Sequence, residues 1–177
     1  MLAKIAAAAL ALLAAAPASA GEVFAGITGH DLDIGFGRSY EPGVDAVAGV
    51  RSATVARLWG GEVRGHVLFS VNTGDGFNFG ALGASLRWPL AGGRFYIAPG
   101  LGAAVHDGPG DKYQRTPDRF YPGSRLLFEP ELTLGARLSR RFAAELAYVH
   151  LSHAQLGGKQ NPGLDTIGAR LVYRFGE

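Results

Sequence analysis

The chain reads as an all-β protein, an eight-stranded antiparallel transmembrane β-barrel that follows a removable export segment. Three observations carry this reading. After residue 20 the chain falls into eight runs of roughly ten residues with period-two alternation. The connections between runs are of two kinds, tight turns and long polar loops. In the last three runs Phe, Leu and Tyr collect on one face, while Glu and Arg collect on the other.

The opening twenty residues, MLAKIAAAALALLAAAPASA, have the build of a secretory signal. Lys4 supplies the basic start, an Ala/Leu run follows, and Ala18-Ser19-Ala20 has the small-x-small form of a cleavage site. A cut after Ala20 leaves 157 of the 177 residues, 21–177, as one barrel domain. Without Lys4 there are 16 basic and 15 acidic side chains, so net charge points to no nucleic-acid partner. There is no cysteine, which excludes a disulfide scaffold and an N-terminal lipid thioether. The 27 glycines suit tightly curved sheet better than long helix. No stretch after residue 20 has the 18 or more consecutive apolar residues of a spanning helix.

The runs follow in order. About 22–30 reads EVFAGITGH, and 44–51 reads VDAVAGVR. Then come 63–71 (VRGHVLFSV), 77–88 (FNFGALGASLRW) and 94–106 (RFYIAPGLGAAVH). The last three are 124–137 (SRLLFEPELTLGAR), 142–153 (FAAELAYVHLSH) and 165–175 (DTIGARLVYRF), the final run carrying Tyr173 and Phe175. Between them, 91–93 and 138–141 are tight turns, whereas 106–123 and 153–164 are long, polar and rich in Gly and Pro. The connection 52–62 is longer than a tight turn and fits this pattern poorly. With a periplasmic N-terminus, odd runs travel outward and both long loops become extracellular, which is the asymmetry of outer-membrane barrels.

Parity separates a membrane barrel from a soluble, lipocalin-like one. In 142–153 one face holds Phe142, Ala144, Leu146, Tyr148, His150 and Ser152, and the other holds Ala143, Glu145, Ala147, Val149 and Leu151. In 165–175 Ile167, Ala169, Leu171, Tyr173 and Phe175 oppose Thr166, Gly168, Arg170, Val172 and Arg174. In 124–137 Phe128, Pro130, Leu132 and Leu134 oppose Glu129, Glu131 and Thr133. Eight strands enclose only enough room for side chains. The Glu and Arg face therefore fills the interior, with Glu145 and Arg170 expected to pair or to share a network, and the apolar face meets lipid.

On that lipid-facing wall His150 and Ser152 are out of keeping with their apolar neighbours, and Asp165 opens the next strand at the same end with the same parity. A serine hydroxyl, an imidazole and a carboxylate at one rim are what acyl transfer needs, because the imidazole activates the hydroxyl and the carboxylate orients the imidazole. They are also ordinary residues for a membrane interface, and spacing alone leaves both readings open. Zinc ligation by His150, His153 and Asp165 is disfavoured by the opposite parity of the two histidines. His106 and Asp107 are adjacent and point to opposite faces, so they read as the start of a loop.

The segment HLSHAQLGGKQNPGLD, with FEPELTLGARLS and FAAELAYV before it and GARLVYRF after it, resembles the PagL family of lipid A 3-O-deacylases, most specifically over about 94–175. Those proteins are eight-stranded outer-membrane barrels with a Ser–His–Glu-type triad facing lipid. The resemblance implies that Ser152 is the nucleophile, His150 the general base and Asp165 the orienting acid, with Ala154 the small residue after the serine. Asn161, Gly163 and Asp165 correspond to the family's Asn-x-Gly and following acid. Here the acid is Asp rather than the more familiar Glu, and His153 stands where Asn is common. Asn161, His153 and the backbone at Gly157 and Gly158 are candidate oxyanion or substrate-positioning groups. Lys159, with Arg115 and Arg119 in the 106–123 loop, are candidates for the lipid A phosphates.

The sequence thus leads to an outer-membrane serine esterase acting on the 3-O-linked acyl chain of lipid A in the outer leaflet. It needs no metal or organic cofactor and has no nucleic-acid partner, and a homodimer is compatible with it. The alternative is a non-catalytic small barrel serving as adhesin or membrane scaffold, followed by a lipocalin-like carrier.

Overall fold

Period-two alternation over eight runs predicts strands, and strands that expose one apolar face need either a second layer or a closed barrel. The computed structural model of the protein describes residues 21–34, 41–109, 121–156 and 161–176. The export segment 1–20 lies outside the described residues. The described residues form nine strands: β1 (Gly21–His30), β2 (Gly43–Arg51), β3 (Ala56–Leu58), β4 (Gly61–Asn72), β5 (Phe79–Leu90), β6 (Phe95–His106), β7 (Leu126–Arg137), β8 (Phe142–Leu151) and β9 (Leu164–Phe175). All but β3 coincide with the eight expected runs, with ends shifted by no more than two residues.

β1 pairs antiparallel with β2, each strand from β4 to β8 pairs antiparallel with the next, β1 pairs with β9, and β2 pairs with β4 across Asp45–Arg51 and His66–Asn72. The sheet is therefore a closed eight-stranded barrel, with β3 as an extra segment lying along β4. Closure removes the edges of the eight barrel strands and satisfies their backbone without water, as a lipid environment demands. No helix among the described residues is long and apolar enough to cross a membrane.

The awkward 52–62 connection resolves into a strand continuation. Past Arg51 the chain keeps following β4: the Ser52 N–H donates to the Gly65 carbonyl at 2.9 Å and the Val55 N–H to the Val63 carbonyl at 2.9 Å. The reversal itself takes two residues, Trp59 (φ 48°) and Gly60 (φ 79°), both with the positive φ of a primed hairpin turn. This connection is as tight as those at 91–93 and 138–141, so short turns occupy one end of the barrel and the long loops the other. The sequence expectation of a long connection is corrected, because a run interrupted by Ser-Ala-Thr loses its alternation before it loses its pairing.

The two faces divide as parity requires. Ala143, Glu145, Ala147, Val149 and Leu151 are all buried, while Leu146 and Leu171 on the outer wall are 52% and 54% exposed. Glu129, Glu131, Thr133 and Arg170 are buried in the interior. Glu145 and Arg170 stand directly opposite in the β8–β9 register, yet each bonds elsewhere. Arg51 donates to both oxygens of Glu145, at 2.7 and 3.0 Å, and the Tyr96 hydroxyl donates to Glu145 at 2.6 Å. Arg170 instead reaches Glu131 at 3.0 Å, and Arg51 lies 3.5 Å from that same carboxylate. The expectation of a shared network holds, whereas the direct pair does not. In a closed barrel a long guanidinium can cross the interior to a better-placed carboxylate than its cross-strand neighbour. Nearer the turn end Glu22 accepts from Arg87 at 2.7 and 2.6 Å and from Arg174 at 3.1 Å. Bidentate pairs of this kind keep buried charge compensated.

Candidate active site

The site is assembled where β8 and β9 reach the long-loop end. In the β8–β9 ladder His150 stands directly opposite Asp165. The His150 Nδ1 lies 2.7 Å from Asp165 Oδ1. A carboxylate can only accept, so Nδ1 carries the proton and Nε2 keeps its lone pair. The histidine side chain is 25% exposed, whereas the aspartate side chain is 5% exposed. The pair therefore presents an accessible imidazole backed by a shielded carboxylate. The backbone of Asp165 is held from the other side too, since its carbonyl accepts the Leu32 N–H at 2.9 Å.

Ser152 follows on the same wall, two residues beyond His150. It is half-buried and lies just past the end of β8, tied to β7 by an isolated antiparallel bridge to Phe128. Its N–H donates to the Phe128 carbonyl at 3.2 Å and its carbonyl accepts the Phe128 N–H at 2.6 Å. Between that bridge and the continuous β7–β8 ladder, which ends at Glu131 and Val149, Pro130 stands opposite His150. Proline brings no N–H to the ladder there. Ser152 is thus anchored through its backbone, at a position with the same strand parity as His150.

The chain then turns through Ala154 (φ 50°) and Gln155 (φ 62°), closed by a Leu156 N–H to His153 carbonyl bond of 2.9 Å. His153 is buried and does not join His150 on the wall. Its backbone N–H donates to Asn161 Oδ1 at 2.9 Å. That bond uses the oxygen of the Asn161 amide and leaves Nδ2 as its donor end. Gly163 has φ 68°, and a Cβ placed on it would come within 2.7 Å of His150 Cε1. This glycine meets both a left-handed backbone and the close approach of the imidazole.

Of the residues singled out from the sequence, His150, Ser152, Asp165, Asn161 and Gly163 converge at this rim. Gly157, Gly158, Lys159, Arg115 and Arg119 lie outside the described residues. His106 ends β6 with its side chain buried and its Nε2 2.7 Å from the Ser124 carbonyl, while Asp107 binds the Asn78 backbone N–H at 2.7 Å, so the two serve the loops. One participant was missed. The Tyr148 hydroxyl donates to Asp165 Oδ1 at 2.7 Å, the same oxygen that faces His150. By sequence alone its outward parity, two residues before His150, marks it only as one more lipid-facing aromatic.

A closed eight-stranded barrel with an apolar wall, a charged interior and a polar cluster at its long-loop rim defines a small integral protein of the outer membrane. The family model of PagL, lipid A 3-O-deacylase, matches residues 34–174, and the chain belongs to that family. Among solved structures it is similar to the outer membrane enzyme PagL, with a TM-score of 0.62 and 18% identity over 88% of this chain and 99% of that one. Similarity extends to Neisserial surface protein A (TM-score 0.52, 12% identity, 88% of this chain and 96% of that one). It extends also to the Yersinia pestis outer membrane protein Ail (TM-score 0.51, 13% identity, 89% and 99%). No curated protein matches the chain. At these identities the structural likenesses establish the barrel, and it is the family match that sets the chain among lipid A deacylases rather than among non-catalytic barrels.

Proposed function

We propose that this protein hydrolyses the 3-O-linked acyl ester of lipid A by a serine mechanism run on the outside of the barrel wall. The observation that carries the reading is the 2.7 Å contact between His150 Nδ1 and Asp165 Oδ1 on the lipid-facing side, beside Ser152. In this mechanism His150 Nε2 takes the hydroxyl proton as Ser152 Oγ bonds to the ester carbonyl carbon. Asp165 holds the tautomer and stabilises the imidazolium. The carbonyl electron pair moves onto oxygen, where the Asn161 Nδ2 group supplies a donor. Collapse of the tetrahedral intermediate breaks the bond to the sugar oxygen, which leaves with the proton from His150. Water, deprotonated by the same imidazole, then releases the fatty acid and restores Ser152. The substrate is a lipid of the outer leaflet, so its ester arrives by lateral diffusion at the wall. We infer further that the chain reaches this membrane by export, with cleavage after Ala20.

The test is mass spectrometry of lipid A from a host that makes 3-O-acylated lipid A and expresses the protein. Ser152→Ala and His150→Ala are each expected to abolish the loss of the 3-O-acyl chain, while the barrel still shifts between unheated and heated gels. The double variant is expected to be no worse than either single one, because nucleophile and base act as a unit. Deacylation that survives in Ser152→Ala overturns the serine mechanism.

A further inference from the structure

We propose that Tyr148 is a positioning residue that acts through Asp165, a role that rests on Asp165 being the partner of His150. In the β8–β9 register Tyr148 faces Ile167, so Asp165 is its diagonal neighbour, one repeat nearer the rim. A tyrosine side chain is long enough to span that diagonal. Its hydroxyl and the His150 Nδ1 converge on one oxygen, each at 2.7 Å. Two donors arriving at Oδ1 from different strand positions fix the rotation of the carboxylate, which a single donor leaves freer.

Burial sharpens the argument. The Asp165 side chain is 5% exposed, so bulk water has little access to replace a lost donor. On the wall Tyr148 is flanked by Leu132 of β7 and Ile167 of β9. A phenol hydroxyl among such neighbours must find its acceptor within the protein, and Asp165 is the acceptor it has. The short side chain of an aspartate has only two torsions with which to meet the imidazole, and Tyr148 limits the second. The bland alternative is an interfacial aromatic that borrows a rim carboxylate without affecting the reaction.

The two readings separate in a double-mutant cycle on the full-length protein, purified in detergent and assayed on lipid A in mixed micelles. Tyr148→Phe keeps the ring and removes the donor. The expected result is a fall in kcat of about tenfold or more with KM within about twofold, since a hydrogen bond to a charged group is lost from the catalytic machinery and not from substrate binding. In the Asp165→Asn background the same change is expected to cost nothing further. Folding of every variant is checked by heat-dependent gel mobility. Parental kcat in Tyr148→Phe, or an equal loss in both backgrounds, overturns the inference while leaving the triad intact. Parental activity in Asp165→Asn overturns the acid's role and the inference with it.

Discussion

Gly163 shows how narrowly single residues define this rim. It combines a φ of 68° with an imidazole so near that a Cβ would stand 2.7 Å from His150 Cε1. Gly163→Ala therefore meets two penalties, a left-handed alanine and a displaced His150, the proposed general base. Strain of this type costs about 1–3 kcal/mol. Where that strain is relieved by moving His150 out of line with Ser152, deacylation is expected to fall by up to about a hundredfold with an unchanged barrel. Kinetics of the purified variant beside its gel mobility check this, and parental activity would show that the loop absorbs the Cβ without touching His150. Asn161 depends on a neighbour in a similar way. Its Oδ1 is engaged by the His153 N–H, so its orientation is set by a backbone group at the position where the family more often has Asn.

Among the elements, the β3–β4 hairpin carries the turn that the sequence obscured. Trp59 and Gly60 both lie at positive φ, and Gly60 has open space around the position of a Cβ. The cost of Gly60→Ala is then purely conformational, about 1–2 kcal/mol for an alanine in the left-handed region. The expected outcome is a lower urea midpoint for unfolding in detergent or lipid. Activity per folded molecule should match the parent, because the hairpin is at the opposite end of the barrel from Ser152. A loss of activity without a loss of stability would refute that separation. β8 and β9 behave differently: their register alone brings His150 and Asp165 face to face, so any slip by one residue would turn one of them into the interior.

At the scale of the whole molecule, stability rests on charge buried inside the barrel. Arg51 holds both oxygens of Glu145 and also approaches Glu131 and Glu22. Arg51→Met leaves the buried Glu145 without its main cationic partner, a change that typically costs about 3–5 kcal/mol. Arg170→Met removes a partner of Glu131 only, and Arg51 remains nearby to compensate. Arg51→Met is therefore expected to be the more damaging of the two by urea titration of heat-dependent mobility. The reverse order would mean that the Glu131 end of the network, rather than the Glu145 end, dominates. The same interior fits a proposed triad placed on the outer wall. A filled lumen has no room for a lipid, whereas the wall is already in contact with one.

How far the primary structure spoke for itself follows from the range of the forces involved. Strand alternation is a local property, so the eight strands, the inward Glu and Arg, the outward Leu and Phe, and the shared face of His150, Ser152 and Asp165 were all legible residue by residue. The family resemblance added the chemistry, because a motif preserves order along the chain even where overall identity is low. The barrel itself was legible, but the partnerships across its interior were not. That Arg51, distant in sequence by 94 positions, should claim Glu145 in place of Arg170 depends on how the barrel curves and staggers, which no single run encodes. The Tyr148 hydroxyl belongs to the same class. Parity placed its ring against lipid, but only the β8–β9 register and the reach of the side chain across it bring that hydroxyl to Asp165.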